Sequence, residues 1–307
     1  MMQHKPVLYK EIIHALQPQN GGRYVDGTLG AGGHARGILE ACSPDGHLLG
    51  LDVDPQALAL SRETLAPYAE GGRTHLEQAS YITITKQLAA LKWDLVDGIL
   101  LDLGASSMQF DNAERGFSFM QDGPLDMRFG INAFQSAEDI VNNYDERDLA
   151  DLIFRYGEDR DARRIAKAIV MNRPLRTTRE LVAVIEKASP RRGDRTHPAT
   201  QTFQALRIAV NEELASVESV LPQAVAALRS GGRLAVISFH SLEDRIVKDY
   251  FREQSKAIVN PPYERIYEVE RKAVVEIINK KPIVASDEEV KDNPRARSAK
   301  LRVVEKL

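Results

Sequence analysis

Eleven residues near the start of the chain, Tyr24-Val-Asp-Gly-Thr-Leu-Gly-Ala-Gly-Gly-His34, constrain the fold more than any other stretch. An apolar strand seed, Tyr24 and Val25, runs into a loop holding Gly27, Gly30, Gly32 and Gly33. A helical pattern (Ala35, Ile38, Leu39) follows, and a second apolar run, Leu48 to Leu51, ends in Asp52. Strand, glycine loop, helix, strand and acid form the arrangement that holds a nucleotide-like ligand at the carboxyl ends of a parallel sheet. Glycines belong there because the backbone must approach the ligand closely and take positive φ. Asp52 is placed to accept hydrogen bonds from ribose hydroxyls. The spacing departs from the dinucleotide fingerprint, and Asp26 at the loop entrance would repel a pyrophosphate. S-adenosylmethionine, with a sulfonium and an amino-acid end, tolerates that carboxylate and is the ligand expected. The competing reading is a plain tight turn with Asp52 as a helix cap.

The same rhythm continues to about residue 105, with strands expected at Arg23–Val25, His47–Leu51, Arg73–Glu77 and Leu95–Leu101 and helices between them. Asp54-Pro55 opens the helix after the second strand, aspartate as cap and proline at the first helical position. Alternation of this kind predicts a parallel sheet covered by helices. Tyr81 follows the third strand, where an adenine edge would lie or where a tyrosine would simply pack.

The fourth strand ends in Asp102-Leu-Gly-Ala-Ser-Ser-Met-Gln109, a polar cluster at the place where open sheets present reacting groups. Asp102, Ser106, Ser107 and Gln109 are therefore candidates, with a self-capped loop as the alternative for one of the serines. Beyond Phe110 the sheet rhythm stops. A loop with Phe117 and Phe119 leads into helical periods at Ser136–Asn143, Asp145–Tyr156, Asp159–Asn172 and Thr178–Ala188. A long helix from His197 to Asn211 leads back, another spans Leu214–Leu228, and a fifth strand, Arg233–Ser238, ends in Phe239-His240. Two further strands, Ala273–Ile278 and Lys300–Val304, are expected to close the sheet as an antiparallel pair.

Charge separates the regions. From Arg155 to Arg207 there are 13 Lys+Arg against 6 Asp+Glu, whereas the whole chain carries a formal charge of −3. That asymmetry suggests a surface facing a polyanion. Arg163, Arg164 and Lys167 on one helix, and Arg191, Arg192 and Arg195 beyond it, are the RNA-binding candidates; a solvated helix face is the alternative. The lone Cys42 fits a reducing cytoplasm, and no apolar run reaches membrane-spanning length. The seven histidines and one cysteine show no metal-ligand spacing.

Taken in order, His4-Lys-Pro-Val7, the glycine stretch to His34, Asp102-Leu-Gly-x-Ser-Ser107, Glu114-Arg-Gly-Phe-Ser-Phe119, Asp122-Gly-Pro-Leu-Asp-Met-Arg128, His197-Pro-Ala-Thr200, Ser238-Phe-His-Ser-Leu-Glu-Asp-Arg245 and Asn293-Pro-Arg-Ala-Arg-Ser298 closely resemble one family. It is the bacterial small-subunit ribosomal RNA cytosine-N4 methyltransferases, called MraW or RsmH, and the resemblance covers nearly the whole chain. It implies an α/β fold: a class I, Rossmann-like, mostly parallel seven-stranded sheet (1–109 and 208–307) with an inserted all-helical domain (110–207) for RNA recognition. It implies S-adenosylmethionine as donor, held by Gly32, Gly33, His34, Asp52, Tyr81, Asp102 and Gln109. The acceptor implied is a cytidine amine in the decoding region of 16S ribosomal RNA, within a small subunit assembled or nearly so. Departures from the family pattern are Met108 in place of proline, Tyr81 in place of phenylalanine and Gln201 in place of a basic residue.

Methyl transfer from a sulfonium asks the enzyme chiefly for positioning and electrostatics. Asp102 is expected to position the amine, with Ser106 or Ser107 assisting. His240 is the candidate base or, equally, a structural or RNA-contacting group. The acceptor base must leave its stack, and Phe239, Phe117 or Phe119 is placed to pack against it, burial between domains being the alternative for one inserted phenylalanine. Competing functions are a methylase of DNA or another RNA, an NAD-dependent oxidoreductase, and a non-catalytic binder of donor and RNA. The oligomeric state is open, a homodimer included.

Overall fold

The computed structural model describes residues 6–130, 133–190, 197–259 and 269–307. These fall into two compact units, residues 1–104 with 214–307, and residues 105–213. The dividing points lie a few residues outside 110 and 207, because the short helix after the fourth strand and the end of the returning helix belong with the helical unit.

The first unit is built on seven strands: β1 (Arg23–Asp26), β2 (His47–Asp52), β3 (Thr74–Gln78), β4 (Val96–Asp102), β5 (Leu228–Ser238), β6 (Val275–Ile277) and β7 (Lys300–Lys306). Their order in the sheet is β3-β2-β1-β4-β5-β7-β6. β1 to β5 run parallel, and β7 enters antiparallel to both β5 and β6. Consecutive strand residues alternate between two cores, which explains why the strands read as unbroken apolar runs. Tyr24, Leu48, Leu100, Ala235 and Ile237 pack on the face covered by α1 (Tyr9–Leu16), α2 (Gly33–Ala41) and α3 (Pro55–Ala69). Val25, Leu49, Ile99, Leu101, Leu234 and Val236 pack on the other, against α4 (Ile84–Ala90) and the two helices flanking β5. Asp54 caps α3 as its position before Pro55 predicts, accepting from the Gln56 amide at 3.0 Å.

One strand begins earlier than the sequence predicts. Leu228 already pairs with Val96, and the ladder resumes only at Arg233 with Gly98. The residues between form a bulge in which Gly231 takes φ +78°, so the glycine pair lies inside the strand rather than before it.

The second unit is helical: α5 (Ser107–Asp111), α6 (Ala137–Asn143), α7 (Glu146–Gly157), α8 (Ala162–Met171), α9 (Thr178–Ala188) and α10 (Ala199–Asn211). On α8, Ala162, Ile165, Ala166 and Ile169 face inward while Arg163, Arg164 and Lys167 face solvent. This is the period of a surface helix. Phe117 and Phe119 both join this unit's own core: Phe117 stacks on Phe129 at 5.6 Å, and Phe119 lies 5.2 Å from Phe203. Asn211 ties the intervening loop down, accepting from the Phe129 amide and donating to the Met127 carbonyl, each at 2.7 Å. α11 (Glu213–Ala227) and α12 (Ser241–Gln254) return the chain to the first unit. Among the described residues no helix is long and apolar enough to cross a membrane.

Candidate active site

The strand order reverses between β1 and β4, which is where an open parallel sheet leaves a crevice. Three carboxylates stand at this edge, Asp26 ending β1, Asp52 ending β2 and Asp102 ending β4. The glycine loop is pinned on both sides of the crevice: the Gly27 amide donates to the Leu100 carbonyl of β4, and the Leu29 amide to the Leu51 carbonyl of β2, both at 2.9 Å. Gly32, at φ +81°, caps α2 in the left-handed region and turns the chain from loop into helix. Gly27 is required for a different reason. A Cβ there would lie 2.7 Å from Leu101 Cδ2 and 3.1 Å from Tyr81 Cβ, so this close approach is also what brings Tyr81 to the loop.

Each carboxylate is handled differently. Asp52 is locked by backbone, its Oδ2 accepting from the Gly30 amide at 2.8 Å and its Oδ1 from the Asp54 amide at 2.9 Å. Each oxygen keeps a lone pair for a ligand hydroxyl. Burial pushes this carboxyl up while the backbone bonds pull it back. Asp26 is 1% exposed and accepts from the Thr28 amide at 3.1 Å. Burial raises its carboxyl to about 6, against the opposing pull of His34. Asp102 has its Oδ2 3.6 Å from His34 Nε2, while its Oδ1 is buried with no hydrogen-bond partner. Both ring nitrogens of His34 are likewise buried and unpartnered, with the Tyr9 ring stacked 6.2 Å away.

Buried polar atoms without partners are rare in folded proteins and call for an explanation. Of the six such side-chain atoms among the described residues, three, the two nitrogens of His34 and Asp102 Oδ1, lie together at the switch point beside the glycine loop, as groups reserved for a ligand would. The donor set suits S-adenosylmethionine: carboxylates for a cation and for hydroxyls, and open backbone at Gly30 (φ +52°).

Sequence reasoning overlooked Thr28 and Tyr9. The Thr28 hydroxyl accepts from the Asp102 amide at 2.6 Å and lies 3.5 Å from Asp26 Oδ1, so it couples the ends of β1 and β4. It sits inside the glycine stretch, where a hydroxyl two residues after an acid is a usable signal. Tyr9 lies outside every motif and nothing in the sequence marks it.

Three other candidates have defined local tasks. Ser106 caps α5, its hydroxyl accepting from the Gln109 amide, while Gln109 Oε1 accepts from the Ser106 amide at 3.0 Å. Gln109 Nε2 reaches the Phe129 carbonyl at 3.5 Å, so both ends of that side chain are engaged within the helical unit. Ser107 is the first residue of that helix. His240 caps α12: its Nδ1 accepts from the Glu243 amide at 3.4 Å and its Nε2 lies 3.2 Å from Glu243 Oε1. Glu243 in turn accepts from the Phe239 amide at 2.8 Å. Phe239 itself lies against Gly104, where a Cβ would be 3.7 Å from the ring. Arg164 is paired with Asp161 at 3.1 Å, while Arg163 and Lys167 are exposed. Arg191, Arg192 and Arg195 lie outside the described residues.

Strand order, glycine loop and acid-ended strands define a class I S-adenosylmethionine-dependent methyltransferase core. The MraW methylase family profile matches residues 1–307. A protein named ribosomal RNA small subunit methyltransferase H from Geotalea uraniireducens is 51% identical over 99% of this chain and 98% of its own. The one of the same name from Geobacter sulfurreducens is 51% identical over 99% of each. A solved rRNA methylase from Streptococcus thermophilus aligns with 100% of this chain and 99% of its own at TM-score 0.46 and 9% identity. The chain belongs to the MraW methylase family and is a methyltransferase.

Proposed function

We propose that this chain transfers a methyl group from S-adenosylmethionine to the N4 exocyclic amine of a cytidine in the decoding region of 16S ribosomal RNA. The observation that carries this reading is Asp102. Its Oδ1 is buried and unpartnered at the end of β4, in a chain 51% identical to small-subunit ribosomal RNA methyltransferases. Cytosine N4 is a poor nucleophile because its lone pair is conjugated into the ring. An acceptor for an N4 proton localises that lone pair and aims it, and Asp102 Oδ1 is the acceptor this chain has to offer. The Asp102 backbone is held by Thr28, so the acceptor is set before the amine arrives. Gly32, Gly33 and His34 from the loop, with Asp52 and Tyr81, would hold the donor, which supplies an electrophilic methyl on a sulfonium. Gln109 fixes the first turn of α5, its Oε1 accepting from the Ser106 amide.

The RNA would be met by the helical unit, with Arg163 and Lys167 facing phosphate and Arg191, Arg192 and Arg195 adding to its positive charge. The substrate would be the subunit assembled or nearly so, and the enzyme would work in the cytoplasm. Replacing Arg163 and Lys167 by alanine should lower the slope of log affinity against log salt by about 0.7 to 0.9 for each lost phosphate contact; an unchanged slope would make them a solvated face. The decisive assay is transfer of labelled methyl to small subunits from cells lacking this gene, followed by nucleoside analysis. Label in N4-methylcytidine supports the reading, and label in any other nucleoside overturns it.

A further inference from the structure

Two histidines stand at the junctions of strand and helix, and their nitrogens are used differently. His240 accepts the cap bond at Nδ1 and keeps Nε2, without a hydrogen bond, 3.2 Å from Glu243 Oε1, whereas His34 is buried with neither ring nitrogen hydrogen-bonded and Nε2 3.6 Å from Asp102 Oδ2. That separation is ion-pair range rather than a hydrogen bond, and catalytic contacts of resting enzymes are commonly longer than in the reacting complex. We propose that His34 is the proton-positioning residue of the transfer step: it receives, through Asp102, the proton that the methylated amine sheds.

The inference rests on the methyltransferase reading above and adds a charge balance to it. As the N4 lone pair forms the new N–C bond, the S–C bond breaks and its electron pair stays on sulfur, leaving a neutral thioether. The positive charge is then on N4. N4 gives a proton to Asp102 Oδ1, and the neutral carboxyl turns about its Cβ–Cγ bond to bring that same O–H to His34 Nε2, which takes the proton. The imidazolium rests against the restored carboxylate until solvent takes the proton. At each stage the crevice holds one positive charge, first on sulfur, then on N4, then on His34.

The surroundings favour this sequence. Among the described residues, the titratable groups around the imidazole are Asp102 from β4, Asp26 from β1, which interacts with His34, Asp102 and Asp52 alike, and Tyr9 from α1. These carboxylates stabilise one cation. A second cation at close range to a bound sulfonium is disfavoured in a partly desolvated site, so binding of the sulfonium should drive protons out of the crevice. The neutral thioether product makes no such demand.

Calorimetry of the whole protein in buffers of different ionisation enthalpy tests this without turnover, using S-adenosylmethionine and S-adenosylhomocysteine as the two probes. Near neutral pH the sulfonium should release more protons on binding than the thioether does. That difference should disappear in His34→Asn and His34→Gln and persist in Asp26→Asn. Equal release by the two ligands in the unaltered protein overturns the proposal, as does loss of the difference in Asp26→Asn alone. In turnover, His34→Gln should lower kcat about 10²-fold with its acid limb lost. An unchanged pH profile overturns the relay. Failure of the unaltered protein to form N4-methylcytidine would instead strike the parent reading.

Discussion

The carboxyl ends of β4 and β5 are neighbours in one sheet, and both lead into polar sequence, yet they are finished in opposite ways. At β5 the groups mostly close on one another: His240 and Glu243 cap α12 reciprocally, Glu243 also takes the Phe239 amide, and only His240 Nε2 is left without a hydrogen bond, 3.2 Å from Glu243 Oε1. Just beyond, Asp244 takes the Arg302 guanidinium at 2.6 and 3.2 Å, tying α12 to β7. At β4 and the facing glycine loop, bonding stops short. Asp102 Oδ1 and both nitrogens of His34 are buried without partners, and Asp26 sits in a site that resists its charge. A fully bonded junction stabilises the fold; an incompletely bonded one stores interaction for a ligand. Polar residue types alone do not distinguish the two.

The contrast can be broken most severely at Asp102. Asp102→Asn should reduce turnover about 10²- to 10³-fold, the usual cost of losing one preorganised electrostatic group, with RNA affinity nearly unchanged. A larger loss in RNA affinity than in kcat would move Asp102 from chemistry to binding.

Asp26 sharpens the comparison through stability. Its folded carboxyl keeps a proton to about pH 6, whereas the unfolded one loses it near the ordinary aspartate value of 3.8. Between these values the folded state binds more protons, so stability falls as pH rises from about 4 to 6 and stays low above. Asp26→Asn keeps the Thr28 amide's acceptor and removes the charge. It should stabilise the ligand-free protein above pH 6 by up to about 3 kcal/mol, two pKa units' worth, and give no gain below pH 4. Thermal melts across that range decide it; a pH-independent change would place the strain elsewhere.

Asp52→Ala should weaken donor binding about 10- to 100-fold, the worth of charge-assisted hydrogen bonds, while kcat at saturating donor falls less. If kcat and affinity fall equally, Asp52 shapes the reacting geometry and not the donor's grip alone. The smallest effect is expected at the closed junction. His240→Asn, another good cap residue, should leave turnover within about threefold. His240→Ala should cost about 1 kcal/mol of stability by denaturant titration. Collapse of turnover in a well-folded His240→Asn would erase the distinction between the two strand ends.

Much of this was legible in the chain. Apolar runs at Leu48–Leu51 and Ile99–Leu101 and the Asp54-Pro55 start of α3 are local signals, set by periodicity and capping, and they place the sheet and its helices. The glycine loop with Asp52 marked the crevice proposed for the donor because close backbone approach excludes other residues there. The inserted phenylalanines were ambiguous for a physical reason: an aromatic ring in a turn-rich loop is equally suited to a base or to a core, and Phe117 and Phe119 found Phe129 and Phe203. Histidine showed the limit more sharply. His34 and His240 look alike in sequence, each lying between an apolar strand and an amphipathic helix. Which nitrogens are occupied depends on residues brought close by folding, Glu243 within one helix turn of His240, and Asp102, 68 positions from His34, across the sheet. Local chemistry thus determined the elements, the donor loop and the acids at the strand ends. Only tertiary structure decided which of those polar groups are satisfied, because a hydrogen bond is spent or withheld by partners that sequence spacing does not reveal.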